Sequence, residues 1–327
     1  MSIEIGDFSG HPLRRGKKFL LRAQWFHYCS LLMLSYAVWI ILVHFLSLTF
    51  ITYFLSIPHS RLQDINDSLS SNQVSLMGLA SLIFTVLLWR LHPITSVERG
   101  DIFKRERFEN SFVPGFLKGA TYSGALILFF ILVGAYRYLG YFIQFSAVPL
   151  DVVNVIFRML ALAVLAYTEE FLFRFKVVSY FKDQIPSWLS AQLIAFLYCG
   201  IKLLQFDLSF MHLLTLYLLS LVLFYRSEET GTFERGAGYW AGCLIVLQPL
   251  ASLPIFGNEF SGTLMIKTNS QLTFTGLKVF TGGEGGPLAS LAFQALLLLD
   301  LLRSILTRRQ TQILSEQKHF LELPDTK

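Results

Sequence analysis

Two adjacent carboxylates and a guanidinium stand close together in the stretch TEEFLFRF, Thr168 to Phe175, inside a run otherwise built of leucine, valine, alanine and phenylalanine. Acids beside an arginine can do proton chemistry. One carboxylate acts as a general base on a water molecule, and the cation holds or orients its neighbour. On a helix, Glu170 and Arg174 are four residues apart and share a face, where they are expected to pair. Glu169 points about 100° away and is expected to stay free for chemistry. An ionisable group near the middle of a membrane costs several kcal/mol unless it is paired or hydrated, so such residues are functional candidates by default. The plainer reading makes Arg174 a marker of the cytoplasmic end of a helix, with the acids reaching water beside it.

The composition sets the surroundings of these three residues. The 327-residue chain is 54% hydrophobic and only 15% charged, where a soluble domain carries roughly 25% charged residues. These values predict an all-α polytopic membrane protein. A crossing helix needs roughly 20 apolar residues, and the chain supplies about eight such windows. No Asp, Glu, Lys or Arg occurs between Arg22 and Arg61, between Asp67 and Arg90, or between Lys118 and Arg137. The fourth window, Val152 to Phe175, holds the acids together with Arg158. Further windows run over 184–201, 208–225, 236–256 and 287–306, the last interrupted by Asp300 and Arg303, which are expected at the interface.

Lys and Arg near span ends are retained on the cytoplasmic side, and this sets the orientation. With both termini cytoplasmic, Arg61, Arg137, Lys202, Lys267 and Lys278 fall on the far side and Arg158 within a span, so the other 21 of the 27 basic residues are cytoplasmic. The net charge of +5 is therefore spread along helix flanks and implies a lipid bilayer, with no nucleic-acid partner. The polar, basic first 22 residues lead into an apolar run too long for a signal-peptide core. Cys29, Cys199 and Cys243 fall inside windows and read as small buried hydrophobes, with no disulfide framework. The chain divides into an N-terminal region, 1–118, with two spans and a basic linker that could form an interfacial helix; a core, 119–256, with the acid pair; a Gly-rich far-side loop, 257–286; and a last span with its tail, 287–327. Within the loop, alternating residues ending in GGEGGP suggest a small local hairpin, read as a connector in preference to a lid.

The pattern EExxxR at Glu169, Glu170 and Arg174, preceded by LALAVLAYT, resembles the first signature of the CPBP intramembrane proteases, which include CAAX prenyl endopeptidases and bacteriocin-processing proteins. The resemblance covers roughly Asp151 to Leu253. It implies hydrolysis of a membrane-anchored peptide in a bacterial cytoplasmic membrane. Glu169, Glu170 and Arg174 would form the catalytic core, with histidines assisting. The family's FxxxH motif falls by spacing on FLYCG, with Phe196 in place and Gly200 at the histidine position. Its third motif, a histidine followed four residues later by Asn or Asp, falls near Val246 and Leu250. His212, the one histidine in this region, reads as an interfacial residue. Two acids without ligand-spaced histidines give no metal site, and no cofactor is expected. Two functional classes follow: a divergent intramembrane endopeptidase, and a non-catalytic relative in which the same charges hold a helix interface as a scaffold or peptide-binding protein.

Overall fold

The computed structural model describes residues 30–43, 78–87, 108–141, 148–178, 185–206, 208–256, 262–269 and 275–321. Among them the chain is mostly helical, as its composition implies. Helices α1 (Ser30–Val43) and α2 (Gly78–Leu87) fall in the first two apolar windows; the rest of both windows lies outside the described residues, as does the linker up to residue 107. A single π turn, Phe108–Phe112, enters α3 (Val113–Leu132), whose first turn holds Pro114, where a missing N–H loses no hydrogen bond. Helix α4 (Val148–Glu170) continues without a break into a π segment, Phe171–Val177. Helix α5 (Ser187–Gln205) is followed by α6 (Phe210–Thr230), which starts at an extended Ser209 and ends on Gly231 in the left-handed region, φ 65°.

Helix α7 (Glu234–Ile245) also runs into a π segment, Val246–Leu250, which carries Pro249. The short α8 (Thr275–Thr281) and two 3₁₀ turns lead to α9 (Leu291–Leu321). Among the described residues, three helices are long and apolar enough to cross a membrane: Glu109–Leu132, Ser187–Gln205 and Phe210–Thr230. At 1.5 Å per residue the shortest of them, with 19 residues, approaches the roughly 30 Å of a hydrocarbon core. Much of the outward face is apolar, with Leu160 61%, Phe196 65% and Leu299 64% exposed, while Glu169, Glu170, Arg174, Lys202, Arg226, Glu234 and Asp300 lie inside. A surface of this kind suits lipid better than water.

Helix α7 lies at the centre because glycines let it approach its neighbours. An added Cβ on Gly115 or Gly119 of α3 would stand 2.2 or 2.0 Å from the carbonyl oxygens of Arg235 and Tyr239. On α7, an added Cβ on Gly238 or Gly242 would stand 2.1 or 2.3 Å from those of Phe112 and Phe116. The two backbones are therefore in contact through paired small-xxx-small motifs, the usual device for close helix packing in membranes. Gly236 and Trp240, also four apart, occupy the opposite side of α7 and turn towards α4.

A two-stranded antiparallel sheet ties distant connectors together. Strand β1 (Tyr136–Tyr141) pairs with β2 (Leu264–Thr268), from Tyr136 opposite Thr268 to Tyr141 opposite Leu264, with an irregularity between Tyr138 and Gly140. This corrects the local hairpin expected within 257–286. The alternating residues do form a strand, but its partner follows α3, more than a hundred residues earlier in the chain. Asp300, expected at the interface, is 3% exposed and packed within the protein, held by Lys118 of α3 (2.9 Å) and Arg226 of α6.

Candidate functional site

Helix pitch changes between the two acids and the arginine. Glu170 ends the regular part of α4, and Arg174 sits in the following π segment. Such segments recur at functional sites because they rotate the residues after them relative to those before. The expected pair forms: Arg174 Nη1 lies 2.9 Å from Glu170 Oε1, and neither side chain is exposed. Arg174 Nη2 donates to Ser220 Oγ at 2.8 Å, anchoring the pair to α6. Glu170 Oε2 packs against Gly236, where an added Cβ would stand 2.7 Å away. Only a residue without a side chain admits the carboxylate at that point.

Glu169 is not free, and this corrects the sequence reading. Lys202 of α5 donates to its Oε1, and both side chains are 1% exposed. The Tyr198 hydroxyl donates to Oε2 at 3.0 Å, and the Trp240 indole N–H approaches the same oxygen at 3.4 Å. Sequence reasoning placed Lys202 on the far side as a flanking charge; it is buried because Glu169, on another helix, supplies its counter-charge. Phe206 and Phe256 complete its surroundings, with the ammonium 5.4 and 5.3 Å from their ring centroids. Phe256 holds φ 56°, a strained backbone for a bulky side chain, and stacks on Phe206 at 4.6 Å.

Tyr198 joins the two ion pairs. Its ring lies 4.9 Å from the Arg174 guanidinium carbon and 5.6 Å from Lys202 Nζ, while its hydroxyl reaches Glu169. Phe173 packs edge-on to it at 5.2 Å, and Tyr36 of α1 packs edge-on to Phe173 in turn. Tyr36 shares a 2.8 Å hydrogen bond with Ser81 of α2, so both N-terminal helices reach this centre.

Gly200 and Phe196, the expected FxxxH positions, point outward: no atom lies within 4 Å of a Cβ on Gly200, and Phe196 is 65% exposed. The inward aromatic and base on α5 are Tyr198 and Lys202, two residues further on with the same i, i+4 spacing. On α7 the group facing Glu169 is Trp240. Val246 and Leu250, the expected third-motif positions, lie in the π segment beyond α7. His212 is buried at the start of α6, its ring nitrogens bonded to Ser209 Oγ (2.8 Å) and the Gly285 carbonyl (3.0 Å), and it serves the Gly-rich loop. Cys199 and Cys243 are unpaired, partly buried and buried respectively. Among the described residues no group of three His, Cys, Asp or Glu could hold a metal ion.

The arrangement is a pair of buried ion pairs, Glu169 with Lys202 and Glu170 with Arg174, linked through Tyr198 and enclosed by α4, α5, α6 and α7. It can hold charge firmly. The oxygens of Glu169 are occupied by donors, and the one carboxylate oxygen of the two acids left without a contact to a cation or donor is Glu170 Oε2. Comparison of the chain with protein families, curated proteins and solved structures finds no match in any of the three.

Proposed function

We propose that the chain is an eight-span membrane protein of the CPBP type, with both termini cytoplasmic, whose acid pair is neutralised from within and which holds a membrane-anchored peptide or protein without hydrolysing it. The topology rests on the asymmetry of the basic residues and on the eight helices that fall in the eight apolar windows. With Lys202, Arg174 and Arg226 paired inside the bundle, 19 of the 21 cytoplasmic basic residues stand against 4 of the 5 on the far side, and the asymmetry is kept. The family rests on the EExxxR pattern in its buried helix. The non-hydrolytic reading rests on one observation: Glu169, the acid expected to act as base, receives Lys202, Tyr198 and Trp240. A general base must reach a water molecule and take its proton. This carboxylate is already committed to three donors.

A hydrolytic reading draws support from Glu170, whose Oε2 is buried against Gly236 without a hydrogen-bond partner. The two readings separate on a panel of membrane-anchored peptides incubated with purified wild type, Glu169→Gln and Glu170→Gln. We expect no cleavage by any of the three. Cleavage by wild type that falls by roughly 10² to 10⁴-fold in either variant, the usual effect of losing a general base, overturns the non-hydrolytic reading.

A further inference from the structure

A second buried charge cluster lies apart from the acid pair, and its charges do not balance. Asp300 of α9 takes Lys118 of α3 on one oxygen and Arg226 of α6 on the other. Arg303 follows one turn later on α9, and the charges acting on Lys118 are Asp300, Arg226 and Arg303. Among the described residues, one carboxylate thus pairs with two cations, and a third stands one turn along α9 beside Lys118. Arg226 is the inner member, buried over the Tyr239 ring with its guanidinium carbon 4.4 Å from the centroid; its Nε is buried without a hydrogen-bond partner. The outer members are reachable: the Lys118 side chain is 30% exposed, and Arg303 lies on the exposed side of α9. The acids one turn beyond Arg226, Glu228 and Glu229, are exposed, and Glu228 accepts from Ser187 of α5.

We propose that Lys118 and Arg303 bind a phosphate group between α3 and α9, and that its source is the headgroup of an anionic lipid. Unbalanced positive charge in a low-dielectric setting is unfavourable, and a phosphate supplies the missing counter-charge with several acceptor oxygens. The rim of the site favours a lipid source over a dissolved ion. Leu117, Leu299 and Leu302 are 58%, 64% and 48% exposed beside the two cations, a surface that acyl chains cover and water does not. Basic pockets between helices on the cytoplasmic side are the usual receptors for anionic headgroups. The site rests on the membrane topology proposed above but not on any activity of the acid pair.

The test is thermal unfolding of the purified full-length protein in a neutral detergent. The additions are phosphatidylglycerol, phosphatidylcholine and inorganic phosphate, each in turn. A ligand that binds only the folded state raises the midpoint. We expect phosphatidylglycerol to raise it and phosphatidylcholine to leave it unchanged. The rise should be largely lost in Lys118→Met/Arg303→Gln and kept in Arg137→Gln/Lys267→Gln, a pair of exposed cations on the sheet. If the first double variant does not fold, Arg303→Gln alone, at an exposed position, carries the comparison. A rise with inorganic phosphate equal to that with phosphatidylglycerol supports the phosphate site and overturns the lipid as its source. Equal rises with both lipids, or an undiminished rise in Lys118→Met/Arg303→Gln or Arg303→Gln, overturn the site.

Discussion

Lys202 decides how the acid pair is read. With both side chains of the Glu169–Lys202 pair about 1% exposed, loss of either partner leaves an unpaired buried charge; such losses cost roughly 3 to 5 kcal/mol, against under about 1 for surface pairs. Lys202→Met and Arg174→Ala should each lower the unfolding midpoint in detergent far more than Lys267→Ala at an exposed position, and a Lys202→Met protein as stable as wild type would place that lysine in water. A second residue-scale prediction concerns conversion to chemistry. The positions facing Glu169 are 202 and 240, not 200 and 246. Lys202→His with Trp240→His is therefore the variant expected to gain peptide cleavage, while Gly200→His, on the outward face, should gain none. The Glu170–Arg174 pair was legible in the sequence because i, i+4 spacing on a helix is a local geometric fact. Lys202 was not, because a lone cation near the end of an apolar window has the same local signature as a topogenic flank. Trp240 was also hidden, since an indole counts as apolar while its N–H remains a donor.

At the scale of elements, the apolar windows located the helices well, because hydrophobic length is what a bilayer demands. The π segments after α4 and α7 were invisible, since an unbroken run of apolar residues satisfies regular and widened helices equally. The β1–β2 pairing was invisible for another reason: alternation marks a strand but not its partner when the partner lies far away in the chain. The α3–α7 crossing carries the prediction here. A Cβ at Gly119 or Gly238 would enter a neighbouring backbone at about 2 Å, so α3 and α7 must separate, which pushes α7 towards α4 on its opposite side and crowds Trp240 against Glu169. Gly119→Ala and Gly238→Ala should each destabilise the protein by about 1 to 3 kcal/mol, in the range of overpacked cores. Gly200→Ala, in open space, should be neutral or slightly stabilising. Equal midpoints for all three variants in detergent would remove the glycine contact from the account.

The whole molecule is turned outside-in relative to a soluble protein, with leucine and phenylalanine on its surface and its ion pairs at helix crossings. Reporter fusions after Lys182 and after Lys278 should report opposite compartments, and the same compartment for both would end the eight-span topology. Inside that frame the two acids, two cations and Tyr198 bind α4 to its neighbours, so their coupling appears in the unfolding of the entire bundle. The most direct test of this account is a double-mutant cycle on global stability in detergent, using wild type, Glu169→Gln, Lys202→Met and the two combined. Each single variant should lose roughly 3 to 5 kcal/mol, and the double variant, with no charge left stranded, should be more stable than either single. If the double variant instead loses the sum of the two singles, or if Lys202→Met costs nothing, Glu169 is not held by Lys202 and is free to act as a base.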